Sequence, residues 1–382
     1  MTCTIIPHLT KFSRIIPGKL VQYFLNRFYV HRKVPLAIRS ISTGKARISK
    51  KAVYDAIFLH KVKHPFYICF IAIAIFWLIW FFYTSPNTLA LLEQNWPVSL
   101  TMVFGSFIAG ATSEGGGAIA FPVFTKLLNV PPHDAKIFSL AIQSVGMTAA
   151  SLTIILLRIK VQWRMLFWAS IGGIPGILLS SLFLASMLAP ELIKMSFTAM
   201  VSSFAVTLAI LRLKNRCYNE DLQNIKSREK LILLCAGFVG GVMSGLVGNG
   251  IDIICFSVLV LLFRIKESVA TPTSVILMAI NAVVGFALHA LYLKDFTPMI
   301  QNYWLAAVPV VIMGAPFGAF FCSRLNSKTI ALILIALITV ELISSLWIIA
   351  LNKELIFIST GIGLFFSGVY YLMANVDKYN VE

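Results

Sequence analysis

Two similar stretches decide the fold: FGSFIAGATSEGGGAIAFP at residues 104–122 and GFVGGVMSGLVGNGID at residues 237–252. Each lies in an apolar run, 98–128 or 231–262, that is longer than the roughly 20 residues a membrane-spanning helix requires. A helix does not run smoothly through clustered glycines, because each costs about 1 kcal/mol relative to alanine. In hydrocarbon, non-helical backbone persists only where protein buries it or where it lines a cavity, so two matching breaks predict a ligand site inside a membrane.

The composition predicts an integral membrane protein. Of 382 residues, 58% are hydrophobic and only 12% are charged, which is too apolar for a soluble protein of this length. The net charge of +17 is uneven, because residues 1–64 hold thirteen Lys or Arg and a single acidic residue, Asp55. Basic segments beside a first crossing stay in the cytosol, so residues 1–64 are interpreted as a cytosolic, membrane-facing arm and not as a nucleic-acid-binding module. A mitochondrial transit peptide is the alternative for this arm.

The cysteines and the known catalytic motifs give no sign of metal or covalent chemistry. The six cysteines lie far apart and form no C-x-x-C pair, so they are interpreted as small apolar residues and not as disulfide or metal ligands. Neither H-E-x-x-H nor G-x-S-x-G with a suitable partner occurs. We therefore predict no enzyme activity, no catalytic residue, no metal and no cofactor.

The apolar segments divide the chain into an arm, an extra helix, two similar repeats and a last helix. Ala135 to Ser139 matches Ala270 to Ser274, which extends the repeat beyond the breaks. The predicted parts are the basic arm at 1–64, the extra transmembrane helix at 65–83, the first repeat at 98–211, a basic cytosolic linker at 212–230, the second repeat at 231–350 and the last transmembrane helix at 355–374.

Loop charge predicts the topology, because basic loops stay in the cytosol. If residues 98–128 crossed the membrane completely, the basic loops at 158–164 and 212–230 would both lie outside. If residues 98–128 and 231–262 instead enter and return as hairpins, both loops lie inside. We therefore predict an all-α polytopic fold with eight crossings, two re-entrant hairpins and both termini cytoplasmic. Each repeat then holds one hairpin and three crossings, so the two repeats are inverted.

The hairpin breaks are the predicted anion site, since each second arm begins near mid-membrane and helix N-termini attract anions. Glycine lets backbone approach a ligand, and nearby hydroxyl and amide groups add donors. A polar stripe on the helix after each hairpin adds further candidates. The predicted substrate-binding residues are Ser113, Gly115, Gly116, Gly117, Gln143, Ser244, Gly248, Asn249, Gly250, Ser274 and Asn281. The alternative is that the glycines only allow close helix packing and that the polar stripe only joins helices.

Four ionisable residues fall inside apolar runs: Glu114, Asp252, His289 and Glu341. Such residues are rare in hydrocarbon unless they face an internal path. A neutral, protonated Glu114 would tolerate an anion beside it, so Glu114 is the first candidate for proton coupling. Asp252 is the second, with capping of its half-helix as the alternative. His289 is expected to be an interfacial polar residue, and Glu341 is expected to hydrogen-bond between helices.

The duplicated small-residue motif resembles that of the TauE/SafE sulfite exporters, also called the 4-toluene sulfonate uptake permease family. The residues concerned are Gly110-x-x-Ser113-x-Gly-Gly-Gly117 and Gly241-x-x-Ser244-Gly-x-x-Gly248-x-Gly250. Over residues 95–374 the resemblance implies a carrier of sulfite, sulfonates or related organosulfur anions in a bacterial cytoplasmic membrane. The basic arm, the extra first crossing and Glu114 in a shorter first hairpin depart from the family pattern.

The sequence therefore predicts a secondary transporter of a small, sulfur-containing anion that works by alternating access around the hairpins, in the inner cell membrane. Its expected partners are the anion, protons and membrane lipid, without nucleic acid. An anion channel is the nearest alternative, because the same helix dipoles would serve it. An intramembrane enzyme lacks a motif, and a receptor or scaffold leaves the duplicated breaks unexplained.

Overall fold

The structure is a computed structural model that describes residues 65–116, 123–124, 128–213, 218–219, 221, 226–350 and 352–376. The predicted N-terminal arm, Gly117 and much of the 212–230 linker lie outside these residues. The helices are α1 (Pro65–Thr84), α2 (Thr88–Gln94), α3 (Trp96–Ala111), α4 (Pro132–Leu156), α5 (Trp163–Leu179), α6 (Pro190–Leu213), α7 (Ser227–Val247), α8 (Ile251–Ser257), α9 (Glu267–Ala287), α10 (Pro298–Cys322), α11 (Ser327–Ile348) and α12 (Lys353–Ala374). Helices α5, α8 and α9 continue as π-helical turns to Leu184, Leu262 and Leu293.

The all-helical membrane fold is confirmed. Within the described part of the chain, nine helices are long and apolar enough to cross a membrane. The same part of the chain contains no β-strand. Eight of the nine coincide with the predicted crossings. The ninth is α7, the first arm of the second hairpin, so the count of eight crossings stays a prediction. Helix α2 was not predicted from the sequence, because its 7 residues lie between Pro86 and Pro97 and are too few to give a helical pattern.

The first arm of each hairpin packs against the other repeat. Helix α3 lies along α10 and α7 lies along α5, at places where glycine allows the backbones to touch. A Cβ atom on Gly318 would lie 2.0 Å from the carbonyl oxygen of Phe107, and one on Gly176 would lie 2.3 Å from that of Phe238. Phe107 and Phe238 each precede a motif glycine by three residues. This reciprocal packing through small residues joins the two copies into one bundle.

The helices that follow the two breaks, α4 and α9, run antiparallel. The amide of Gln162, just beyond α4, donates to Thr273 Oγ1 near the start of α9 at 3.1 Å. At the other end, a Cβ atom on Gly285 would lie 3.2 Å from Leu140 Cδ1. Equivalent helices of the two copies therefore point in opposite directions, whereas the inverted arrangement of the whole repeats across a membrane stays a prediction.

The half-helix α8 lies at the centre of the bundle, and α1 lies at its edge. Every residue from Ile251 to Phe263 is buried. Most side chains of α1 are exposed, as expected for a helix that faces lipid, and the indole nitrogens of Trp77 and Trp80 donate to the carbonyl oxygens of Pro309 and Leu305 on α10. The extra first helix is thereby attached to the second repeat.

Candidate anion site at the two helix breaks

The second break is a three-residue turn between α7 and α8. Helix α7 ends at Val247, and Gly248 and Gly250 have φ angles of +94° and +144°, which L side chains rarely adopt. Ser244 O accepts a hydrogen bond from Gly248 N at 2.8 Å, and Ser244 Oγ accepts one from Ile251 N at 3.0 Å. The glycines are therefore required by backbone conformation, and the serine hydroxyl caps the start of α8.

The two carboxylate oxygens of Asp252 have different surroundings. Oδ1 accepts hydrogen bonds from Gly250 N at 3.1 Å and from Ile253 N at 3.0 Å, which supports the capping interpretation. Oδ2 is buried and has no hydrogen-bond partner among the described residues. It faces Gly115 in the first break, where a Cβ atom would lie 3.4 Å from it.

The two breaks meet. Asn249 Nδ2 in the second break donates to the main-chain oxygen of Glu114 in the first break at 3.0 Å. The next residue, Gly115, has a φ angle of +74°, and a Cβ atom there would lie 3.5 Å from Gln143 Oε1 and 3.6 Å from Asn249 Nδ2. The space beside the Gly115 Cα atom is thus bordered by the side chains of Gln143, Asn249 and Asp252. Gly116 instead packs on α3, since a Cβ atom on it would lie 2.8 Å from Gly105 O.

Helix α4 contributes the polar stripe predicted from the sequence. Gln143 Nε2 donates to Gly248 O at 3.0 Å and to Ser139 Oγ at 2.7 Å. Ser139 Oγ also donates to Gly248 O, at 3.2 Å. These bonds occupy the amide nitrogen of Gln143 and leave its oxygen directed at Gly115.

A buried ionisable cluster adjoins the breaks. Lys194 on α6 donates to Glu341 Oε1 on α11 at 2.5 Å, and their side chains are only 6% and 3% exposed. Glu114 lies against Glu341, and its carboxyl group interacts electrostatically with Glu341, Lys194 and Asp252. Three of the four ionisable residues singled out in the sequence therefore come together around Glu114, and Lys194 adds a positive charge to them. Lys194 was not among the residues predicted from the sequence, although it is a charge one turn into an otherwise apolar helix.

Several buried polar atoms here have no hydrogen-bond partner among the described residues. In native proteins nearly all such atoms form a hydrogen bond with protein, water or ligand, so these atoms indicate a binding place for a polar ligand or water. They are Ser113 Oγ, Gln143 Oε1 and Asp252 Oδ2.

A cavity adjoins these atoms, and Gln143 is the residue among them that lines it. Its wall includes Gly116, Gln143, Asn249 and Lys194, together with apolar side chains from α3, α4 and α10. It leaves about 40 Å³ for the centres of water-sized molecules, whereas one water needs only about 10 to 15 Å³ by the same measure. The cavity therefore suits a small polyatomic ion or a few waters. We call it the break cavity.

Of the predicted substrate-binding residues, Gly116, Gln143 and Asn249 line the break cavity. Ser113, Gly115, Ser244, Gly248 and Gly250 lie in the breaks but not in the wall of the cavity, and Ser274 and Asn281 lie further away. Ser274 Oγ donates to Thr271 O on its own helix at 2.8 Å, and Ser274 lines a separate small cavity beside Cys255. Asn281 lies next to Gly173, near the start of α8, and neither of its side-chain amide atoms has a partner in the described chain.

His289 lies in the π-helical turn that ends α9. It is 1% exposed, and its Nδ1 lies 2.9 Å from Asp295 Oδ1, whereas its expected position at the membrane interface stays a prediction. No group of His, Cys, Asp and Glu within the described ranges could hold a metal ion.

Fold and site together define a multi-pass α-helical membrane protein with a polar site at paired helix breaks. Comparison with known families specifies it further, since the family described as "Sulfite exporter TauE/SafE" matches residues 98–345, which is more than half of the chain. The protein belongs to the TauE/SafE sulfite exporter family, a family of membrane transporters and not of enzymes. The match covers both breaks, whereas neither a curated protein nor a solved structure matches the chain.

Proposed function

We propose that the protein is a secondary transporter of a small anion, namely sulfite, a sulfonate or another organosulfur anion, by alternating access around the two breaks. The observation that carries this proposal is the hydrogen bond from Asn249 to the backbone of Glu114, through which the two breaks meet beside a cavity. A site built from both copies can change its access when one copy moves against the other. Membership of the sulfite exporter family supports the choice of anion.

The charges around the break cavity suit an anion that is accompanied by a proton. Lys194 lines the cavity and offers a positive charge, and ammonium groups form strong, charge-assisted hydrogen bonds with oxyanions. Glu114 and Asp252 would repel the anion if both were ionised. We therefore retain Glu114 and Asp252 as proton-coupling candidates. The contact of the Glu114 carboxyl group with Glu341 favours Glu114 over Asp252, which half-caps α8.

The same proposal includes the location and the partners. We place the protein in the inner cell membrane with both termini in the cytoplasm, because the basic loops favour that side. Protons and membrane lipid are its other proposed partners.

The test is an uptake and efflux assay in proteoliposomes with sulfite, sulfate, thiosulfate, sulfonates and sulfoacetate, with and without a pH gradient. We expect saturable flux of a sulfur-containing anion that responds to the gradient. Flux that rises linearly with concentration and ignores the gradient would instead identify an anion channel. No flux of any of these anions would refute the proposal.

A further inference from the structure

A second cavity opens where α4 and α6 begin, and we call it the Lys136 cavity. Its wall includes His133 and Lys136 on α4, Lys194 on α6, and Leu246 and Val247 at the end of α7. It leaves about 110 Å³ for the centres of water-sized molecules, more than the break cavity does by the same measure. Lys194 and Val247 belong to the walls of both cavities, so the two are neighbours.

Lys136 is a buried cation with no close counter-ion. It is 5% exposed, and no hydrogen bond or ion pair joins its ammonium group to another residue of the described chain. Asp295 attracts it electrostatically. However, the Asp295 carboxylate is already bound by His289 Nδ1 at 2.9 Å and lies 3.7 Å from His133 Nε2.

This arrangement calls for an anion. A charge in a largely buried side chain is costly unless it is paired or solvated, and here the ammonium group, which has no ion-pair partner in the described chain, lines a space large enough for a small ion. Lys194, which also lines this cavity, is held by Glu341, so Lys136 is the lysine of this wall whose charge is less compensated.

We propose that the Lys136 cavity is a second anion-binding site, which receives the small oxyanion before Lys194 passes it to the break cavity. This inference rests on the proposed transport function for its role, and on Lys136 and the cavity for its existence. Its ligand is a small oxyanion with several acceptor oxygens, such as sulfite, because an ammonium group offers three donors.

The test measures sulfite binding to the purified protein and sulfite flux in proteoliposomes for Lys136→Gln, Lys136→Arg and Lys328→Gln. One charge-assisted hydrogen bond is worth about 1.4 kcal/mol or more, so Lys136→Gln should weaken binding and raise the half-saturating concentration about tenfold. Its rate at saturating sulfite should stay within about twofold of wild type, since the break cavity is intact.

Lys136→Arg keeps the charge and should restore most of the affinity. Lys328 is exposed at the start of α11, so Lys328→Gln controls for the loss of one positive charge.

The outcomes separate the two proposals. A folded Lys136→Gln protein, with a wild-type melting temperature and unchanged sulfite affinity, would overturn the second site. If the wild type carries no anion but binds sulfite in a Lys136-dependent way, the site stands and the transport function fails. If the wild type neither carries nor binds sulfite, both are wrong.

Discussion

Asn249 donates its side-chain amide to the main-chain oxygen of Glu114 at 3.0 Å and thereby joins residues that are 135 positions apart in the chain. Both residues are almost completely buried, at 4% and 1% exposure. This hydrogen bond connects the two breaks, each of which belongs to a different copy of the repeat. Any motion of one copy against the other has to keep, move or break this bond.

We expect Asn249→Ala to reduce anion flux at least about tenfold while the protein still folds, because the Glu114 carbonyl is left unpaired at a cost of about 1 to 3 kcal/mol. Flux and melting temperature check this. The matched control is Asn352→Ala, which removes a comparable hydrogen bond, from Leu355 N at 2.7 Å, at the start of α12 and should cost about 1 kcal/mol. Equal flux from both variants would show that the Asn249 bond is merely structural.

Gly115 allows a separate test of the break. A Cβ atom there would meet only ordinary contacts of 3.4 to 3.6 Å, but the φ angle of +74° strains an L residue, by about 1 to 2 kcal/mol. Gly115→Ala should therefore reach the membrane and place a methyl group between Asp252 and Gln143, with a large loss of flux. Gly361→Ala in α12 is the control, since nothing lies within 4 Å of its Cβ position. Loss of the Gly115→Ala protein itself would favour a packing role.

Variants of the Lys194–Glu341 pair can distinguish a role in stability from a role in anion transport. Breaking a buried pair by removing one partner costs about 3 to 5 kcal/mol, whereas replacing both with apolar residues is often neutral. Lys194→Met should therefore destabilise the protein, and Lys194→Met with Glu341→Leu should regain stability. Because the break cavity then lacks its cation, the double variant should still carry less than about a tenth of the wild-type flux.

The control for this pair uses the same two helices. Thr198 Oγ1 donates to Ser345 Oγ at 3.1 Å, so Thr198→Val with Ser345→Ala removes a neutral bond between α6 and α11. This variant should keep most of its flux. Wild-type flux from the Lys194–Glu341 double variant would exclude Lys194 from the site.

The sequence identified the membrane helices and the breaks but not the Lys194 partner of Glu341. Apolar length marks a crossing helix and clustered glycine marks a break, and both signals are local, so they can be read along the chain. The pairing of Lys194 with Glu341 spans 147 positions, and helical periodicity carries no information about such contacts. Lys194 was overlooked because a lysine one turn into an apolar segment is commonly an interfacial residue that extends its amine to water.

Tertiary contacts that cannot be read from the sequence also explain why Gln143 and Ser274 differ. They belong to equivalent polar stripes in the two copies, yet Gln143 contacts Gly248 in the other break, whereas Ser274 bonds to its own helix. Similar sequence spacing placed both on helices correctly. It did not determine which stripe faces the site, because that depends on tertiary packing.

The predicted topology can be tested with cysteines in a cysteine-free background. Lys160 and Lys226 are exposed in the basic loops, and Ser186 is exposed at the opposite end of α5. An impermeant thiol reagent added outside intact cells should label Ser186→Cys and spare Lys160→Cys and Lys226→Cys, because basic loops stay inside. Labelling at Lys160→Cys or Lys226→Cys would refute the inverted arrangement.

Glu114→Gln tests proton coupling. Glu114 is 1% exposed, and its carboxyl group lies against Glu341 and within the field of Asp252. An arriving anion adds a further negative charge, so transport is easier if Glu114 takes up a proton at the same time. Glutamine keeps the shape and the hydrogen-bonding capacity but cannot titrate. We therefore expect Glu114→Gln to bind sulfite and exchange it across proteoliposomes at a rate within about threefold of wild type, while net flux loses its response to a pH gradient.

Asp252→Asn is the companion variant: if Asp252 mainly caps α8, it should lower the melting temperature and leave the gradient response in place. A Glu114→Gln protein with the full gradient response would show that Glu114 is structural, and a loss of the response in Asp252→Asn alone would transfer the coupling role to Asp252.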